Sequence, residues 1–182
     1  MDLATLWDPM KADEPGAFAF RAYRNYDGAG ARFGETGLHV APLSTANADS
    51  VSLYAALRAI DDVITFVAVN KTSVEEVITV AVKGTARRGG RRFVYDGNDL
   101  ARIHRYDDVY PGGYPEQSVQ VTLPPMSITT VELWPGIPEW TETPRPTAGA
   151  TSSATPTPSS PGPTATRRDA TQSHVYLPYG RR

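Results

Sequence analysis

Residues 37–135 consist of short apolar segments in which hydrophobic and polar side chains alternate. Four segments have one apolar face, and a fifth, Val63–Val69, is apolar on both faces, as expected of a central strand. Three weaker segments lie among them, and residues typical of turns (Gly, Pro, Asn and Asp) separate the segments. About seven or eight short strands without a helical stretch between them predict an all-β fold, an antiparallel β-sandwich. The segments are Leu38–Ala41, Val51–Leu57, Val63–Val69, Val77–Val82, Phe93–Tyr95, Arg102–Tyr106, Val119–Leu123 and Thr129–Leu133.

Composition excludes several classes of function. The 182 residues allow one domain with additional segments. Eighteen basic and twenty acidic side chains give a net charge of −2, so we expect neither nucleic acid nor an anionic membrane as a partner. The absence of Cys excludes disulfides, cysteine-ligated zinc and a thiol nucleophile. No run of about 18 apolar residues occurs, so no membrane span is predicted.

The C-terminal quarter has the composition of a linker. Residues 144–166 contain 6 Pro, 6 Thr and 4 Ser, which cannot anchor a core and favour extended conformations. We therefore predict a disordered Pro/Thr/Ser-rich linker over 136–172. A short apolar tail follows over 173–182; a frayed terminus is favoured over an anchoring or sorting tail.

The N-terminal segment, 1–36, differs from the strand-rich region. Ala19, Tyr23 and Tyr26 recur at helical spacing, and Asp27-Gly28 is typical of a helix end, which predicts a helix over 17–26. A single helix ahead of a sandwich indicates the end of a different domain. Because the first residues lack the basic and apolar regions of a secretion signal, we expect either a cytoplasmic protein or a chain without its natural front end.

Several segments of the N-terminal region resemble the C-terminal third of glycoside hydrolase family 44, the bacterial endoglucanases and xyloglucanases. The more specific segments are Asp2–Pro9 and Tyr23–Gly28, and further similarity is carried by Gly16–Arg21 and Phe33–Thr36. More generic similarity to the β-domain of many barrel glycosidases is carried by Val69–Thr72 and Leu123–Val131.

This resemblance implies a (β/α)₈ barrel with a β-sandwich beside it and a β-1,4-glucan or related polysaccharide as substrate. Residues 1–36 would be the last barrel segment with its final helix, 37–135 would be the sandwich, and the partner would be the barrel domain of the parent hydrolase. The family's two catalytic glutamates lie on earlier barrel strands, and no position here matches either motif. The resemblance therefore implies a non-catalytic fragment without a catalytic residue, and an extracellular or cell-surface location if the parent enzyme carries a signal peptide.

The remaining charged residues favour structural roles. The adjacent pairs Asp61-Asp62 and Asp107-Asp108 point to opposite faces of an extended chain, so we expect solvated turns and not the facing carboxylates of a glycosidase. Asp27 and Glu35 flank a Gly-rich loop, where a structural contact is favoured over a substrate or calcium contact. Arg87–Arg92 is interpreted as a solvated hairpin tip.

No metal or cofactor site is predicted. His39, His104 and His174 are isolated from each other and from acidic partners at ligand spacing. Asn70-Lys71-Thr72 matches a glycosylation sequon but is interpreted as a turn.

Aromatic residues are the remaining candidates for binding, because sugars stack on flat apolar rings. Tyr106, Tyr110 and Tyr114 lie in a Gly/Pro-rich stretch, and Trp134 and Trp140 flank the last strand. The candidate substrate-binding residues are Tyr110, Tyr114 and Trp140, although packing against the barrel or at the sandwich edge is favoured. The alternative function is therefore a free-standing carbohydrate-binding or cell-surface interaction module.

Overall fold

One helix and nine strands make up the fold in a computed structural model, which describes residues 10–42, 49–113, 117–136 and 171–176. The helix α1 spans Pro15–Arg24. The strands are β1 Thr36–Pro42, β2 Val51–Arg58, β3 Val63–Asn70, β4 Glu76–Lys83, β5 Arg87–Tyr95, β6 His104–Val109, β7 Gln117–Leu123, β8 Ser127–Pro135 and β9 Thr171–Tyr176. The prediction of an all-β sandwich is confirmed. No described helix has the length and apolar character needed to cross a membrane.

The strands form two sheets that share β1. The first sheet has the order β6-β5-β8-β3-β2-β1 with antiparallel neighbours throughout. The second sheet has the order β1-β9-β4-β7, in which β9 and β4 are parallel. Thr36–Leu38 pair with β2 and His39–Pro42 pair with β9, so β1 passes from one sheet to the other.

The main core lies between the two sheets. Alternate residues of β4 and β7 are buried, as the hydrophobic alternation predicts. Strand β3 is buried on both faces and lies between β2 and β8, which confirms its predicted central position. The core cluster includes Phe66, Val131 and Leu133 of the first sheet and Ile78, Val80, Val82, Val119, Val121 and Leu123 of the second.

Helix α1 packs on the first sheet, on the face away from this core. Phe18 and Ala22 are buried; the Phe18 ring stacks on Tyr95 with 4.9 Å between centroids, and the Thr130 hydroxyl donates to the Ala22 carbonyl at 3.0 Å. The helix begins and ends two residues earlier than predicted, because Pro15 suits a first helical turn and Asn25 leaves helical geometry. Its buried side is thus set by Phe18 and Ala22, and the predicted Ala19 and Tyr23 are only partly buried.

The interpretation of the arginine-rich segment as a hairpin tip is wrong. Arg87–Arg92 is the first part of β5 and not a hairpin tip, because β5 runs beside β8 so closely that a Cβ on Gly90 would lie 1.8 Å from the Glu132 carbonyl oxygen. Gly90 therefore allows β5 and β8 to approach each other closely and does not mark a turn.

The expected frayed terminus is replaced by β9 over Thr171–Tyr176. The physical reason is that β1 and β4 each present an edge, and a segment between them satisfies its backbone hydrogen bonds on both sides. The chain divides into a unit of Met1–Pro138 with Ala170–Arg182 and a second unit of Glu139–Asp169, which lies outside the described residues. The proposed domain limits and the linker stay predictions.

Candidate functional site

The acidic residues that the sequence singles out serve local structure. One Asp27 carboxylate oxygen accepts from the backbone N–H groups of Ala29 at 2.8 Å and Ala31 at 2.9 Å. Glu35 accepts from the Ala59 N–H at 2.8 Å, and this hydrogen bond lowers the pKa of Glu35. Both carboxylates therefore hold the loops around α1 in place.

The two adjacent aspartate pairs have different environments. Asp61 and Asp62 lie in the β2–β3 turn, as predicted, and Asp61 binds the Arg58 guanidinium at 2.7 Å, which lowers the pKa of Asp61. Asp107 and Asp108 lie within strand β6 and not in a turn, because the strand predicted over Arg102–Tyr106 extends to Val109. Asp108 is bonded to Arg105 three residues earlier.

A buried carboxylate that the sequence does not single out, Glu132 of β8, lies under the segment that follows α1. Its side chain is fully buried. One oxygen accepts from the Tyr26 hydroxyl at 2.7 Å, and the other from Arg91 Nε at 2.5 Å and Trp134 Nε1 at 3.2 Å. The guanidinium of Arg58 lies 3.8 Å from Glu132 and donates to the Tyr26 oxygen at 3.0 Å.

We call this arrangement the Glu132 cluster; it consists of Tyr26, Arg58, Arg91, Glu132 and Trp134. It is suited to holding the segment after α1 on the first sheet. Burial raises the pKa of Tyr26, and the hydrogen bond to Glu132 raises it further, so the phenol stays a donor. Because both Glu132 oxygens are enclosed and already accept hydrogen bonds, the carboxylate offers nothing to a substrate. Its chemistry is that of an internal ion pair.

A second buried charge, Arg87, lies at the start of β5. Its guanidinium is fully buried and bonded to the Asp62 carbonyl, and burial lowers its pKa. The Gln117 side chain bonds both backbone groups of Arg87, donating to the carbonyl at 3.0 Å and accepting from the N–H at 2.6 Å. Within the described residues, Nε and Nη2 of Arg87 have no hydrogen-bond partner.

His104 and the sequon have structural surroundings. His104 Nε2 lies 3.0 Å from Asp99, and within the described ranges no group of three or more potential metal ligands comes together. His174 lies in β9. Asn70 is 2% exposed, and its amide donates to the carbonyls of Val74, Leu123 and Pro124, so this sequon is part of the packed fold.

The predicted aromatic candidates are only partly brought together. Tyr110 is 73% exposed beside β6 and, with Tyr106, lines an open depression of about 660 Å³. Tyr114 and Trp140 lie outside the described residues. The guanidinium groups of Arg88 and Arg91 each lie 5.8 Å from the Trp134 ring. Because its Nε1 donates to Glu132, Trp134 belongs to the Glu132 cluster and not to the depression.

The described part of the chain is thus a two-sheet sandwich whose outer face carries one helix fixed by a buried ion-pair cluster. No protein-family model and no curated protein sequence matches the chain. Solved structures of glycoside hydrolases match its fold, and family 44 enzymes are among them, which confirms the expected similarity at the level of the fold.

Three of these structures define the similarity. CelM2, a bifunctional glucanase-xylanase from a metagenome library, is 26% identical with a TM-score of 0.63, over 71% of this chain and 24% of that protein. A family 44 xyloglucanase from Paenibacillus polymyxa is 22% identical with a TM-score of 0.53, over 65% of this chain and 22% of the enzyme. A family 44 endoglucanase from a Clostridium is also 22% identical with a TM-score of 0.53, over 64% and 22%. The chain therefore spans about a quarter of the length of these proteins.

Proposed function

We propose that this chain is the non-catalytic β-sandwich part of an endo-β-1,4-glucanase or xyloglucanase of the family 44 type, and that it braces the catalytic barrel. The observation that carries this proposal is the fixed position of α1 on the first sheet. The resemblance assigns α1 to the end of the barrel. The Glu132 cluster would then connect the barrel's last helix rigidly to the sandwich.

The surface of α1 supports the same role. Phe18 and Ala22 are buried on the sheet, whereas Phe20 is 44% exposed between them in sequence. On a helix, residues two apart project in different directions, so Phe20 points away from the buried side. We propose that this outward side of α1 contacts the barrel and stabilises it through buried apolar area.

The non-catalytic part of the proposal rests on the carboxylates. Asp27, Glu35 and Asp61 are bonded to their own loops, and Glu132 is enclosed. A retaining glycosidase needs one carboxylate as nucleophile and a second as acid and base, about 5–5.5 Å apart and open to the sugar. We propose that the barrel supplies this pair.

The proposed location is outside the cell. Pro/Thr/Ser-rich segments such as 144–166 are common between modules of secreted enzymes. An antibody against the sandwich would then detect the protein in the culture medium or on the surface of its host, and detection only in the cytosol would contradict this location.

The catalytic question is tested with the purified chain on carboxymethyl cellulose and xyloglucan. We expect no release of reducing ends above that of a mock purification from cells without the gene. Turnover that follows the protein through purification and falls when one of its carboxylates is changed to the amide would overturn the proposal.

The bracing role is tested with a family 44 barrel produced without its own sandwich. We expect the chain to bind this barrel and raise its melting temperature, and Phe20→Asp to abolish both effects while the variant itself stays folded. Val74→Asp is the matched control, because Val74 is also 44% exposed but lies in the β3–β4 turn. Equal loss in both variants, or no binding by the unmodified chain, would contradict bracing.

A further inference from the structure

Strand β6 forms one end of the first sheet, and two exposed tyrosines mark this edge. Tyr106 is 39% exposed and Tyr110 is 73% exposed. Together with Arg105, Asp107 and Asp108 they line the open depression of about 660 Å³. We call this surface the β6 depression. Its rings are accessible from solvent without any movement of the fold.

The ring of Tyr110 is held in place by the neighbouring strand. It rests on Gly89 of β5, where an added Cβ would lie 3.2 Å from Cδ1 of the tyrosine. Only glycine at position 89 leaves the ring in ordinary contact with the backbone. A ring that is fixed before binding loses little conformational entropy when a ligand stacks on it.

The ring of Tyr106 is held by Arg92. The guanidinium carbon lies 5.1 Å from the ring centroid, a cation–π distance, and the same side chain reaches the Thr122 carbonyl of β7 at 3.5 Å. The arginine therefore helps to orient the ring of Tyr106, which lines the depression.

Polar groups beside the rings suit hydroxyl-rich ligands. Among the described residues, the Asp107 carboxylate has no hydrogen-bond or ion-pair partner, so it is free to accept, whereas Arg105 and Asp108 are bonded to each other. A neutral pyranose presents an apolar C–H face to aromatic rings and O–H donors to a carboxylate. Two aspartates against one lining arginine disfavour an anionic polymer.

We propose that the β6 depression binds a neutral β-1,4-linked polysaccharide chain, with Tyr106 and Tyr110 as stacking platforms and Asp107 as a hydroxyl acceptor. The choice of a β-1,4-linked glucan rests on the proposed function, whereas the stacking geometry does not. The site would hold polysaccharide beside the catalytic barrel.

Binding is tested by calorimetry with cellohexaose and by affinity electrophoresis in gels that contain xyloglucan, with the full chain. We expect a dissociation constant on the order of 1 mM, in the range typical of a small open site. Tyr106→Ala and Tyr110→Ala each weaken binding by about fivefold or more, because each removes one stacking surface. Gly89→Ala weakens binding while both tyrosines remain, because the added methyl group displaces the Tyr110 ring.

Tyr54→Ala is the control variant. Tyr54 is 53% exposed on β2 of the same sheet, separated from β6 by β5, β8 and β3, and its loss should leave binding unchanged. Thermal unfolding of each variant verifies that it is folded.

Three results would overturn the site: no binding by the unmodified chain, binding that survives the double variant Tyr106→Ala/Tyr110→Ala, or an equal loss in Tyr54→Ala. Equally strong retention by amylose would overturn its preference for β-linked chains. None of these results affects the bracing proposal, which is measured separately by barrel binding and the Phe20→Asp variant.

Discussion

At the scale of single residues, Glu132 is a fully buried carboxylate whose charge must be compensated inside the fold. A carboxylate without exposed surface is tolerated only when its charge is compensated and its oxygens are hydrogen-bonded. Arg91 and Arg58 supply the charge, and Tyr26 and Trp134 complete the hydrogen bonds. The cluster therefore depends on donors from the segment after α1 and from β2, β5 and β8 at once.

Removal of this carboxylate should be severely destabilising. Glu132→Ala leaves the buried Tyr26 hydroxyl and the partly exposed Arg91 guanidinium without this acceptor, and we expect the free energy of unfolding to fall by about 3–5 kcal/mol. Glu132→Gln keeps an acceptor and should cost less. The control is Glu75→Ala, at an exposed position, which should stay within about 0.5 kcal/mol of the unmodified chain. Urea unfolding measures all three, and a Glu132→Ala variant as stable as the control would contradict the role of the cluster.

The Arg58–Asp61 pair predicts a pH dependence. The hydrogen bond from Arg58 lowers the pKa of Asp61 in the folded state, so its stabilisation is complete above the unfolded pKa of about 3.9 and is lost as the pH falls through the folded value. Because the Asp61 side chain is 44% exposed, Asp61→Asn should cost only about 0.5 kcal/mol at pH 7. This difference should be the same at pH 5 as at pH 7, and it should shrink when urea unfolding is repeated at pH 4, 3 and 2. A constant difference across this range would show that the charge of Asp61 does not matter.

At the scale of elements, β9 completes the second sheet. It pairs with four residues of β1 and six residues of β4. Without it, backbone donors and acceptors along both neighbours would lose their partners, and the second sheet would be divided between β1 and the β4–β7 pair. The 35 residues from Gly136 to Ala170 that precede it are long enough to return the chain to this position.

We therefore expect deletion of residues 171–182 to destabilise the second sheet selectively. Amide hydrogen exchange should become faster in Ile78–Val82 of β4, while β3 and β8 in the first sheet keep their protection. The matched control is deletion of residues 151–160, which shortens the preceding segment but keeps β9. Unchanged exchange in β4 after the C-terminal deletion would show that β9 contributes nothing to the sheet.

At the scale of the whole molecule, the sequence leads to an expectation of marginal solubility or self-association. A helix that evolved to pack on barrel strands would either expose its apolar side or pack again on the sandwich. The structure has the second arrangement, because Phe18, Ala22 and Tyr26 are all buried. The exposed large hydrophobic residues of the described ranges are spread over α1, the two strands β2 and β6, and the connecting segments.

The full chain should therefore be monomeric at micromolar concentration, contrary to the expectation from the sequence. Size-exclusion chromatography with light scattering measures this directly, and a mass near 19.7 kDa is expected. Phe18→Asp should detach the helix from the first sheet and expose Tyr95. The protein should then form dimers or larger oligomers. A dimer in the unmodified chain would contradict the packing argument.

The strand-rich region is predicted well from the sequence because alternation in a strand is a local property. Successive side chains of a strand point to opposite faces of the sheet. The core side of β4 is therefore formed by every second residue, Ile78, Val80 and Val82, and the other side by Thr79 and Ala81. The helix was also recognisable, although its bounds moved by two residues toward Pro15. The candidate binding residues stay predictions. Tyr106 and Tyr110 line one depression because of the course of β6, which no sequence motif encodes.

The amino-acid sequence by itself determined the sandwich class, the central position of Val63–Val69 and the presence of one helix, because these follow from side-chain periodicity within a few residues. Tertiary structure alone decided that Glu132 is buried, since its cover comes from Tyr26, 106 positions earlier in the chain. It also decided that Thr171–Tyr176 form a strand, since that segment gains its hydrogen bonds from β1 and β4. Local patterns encode which face of a strand is apolar, whereas the segment that covers a face is set by packing between distant parts of the chain.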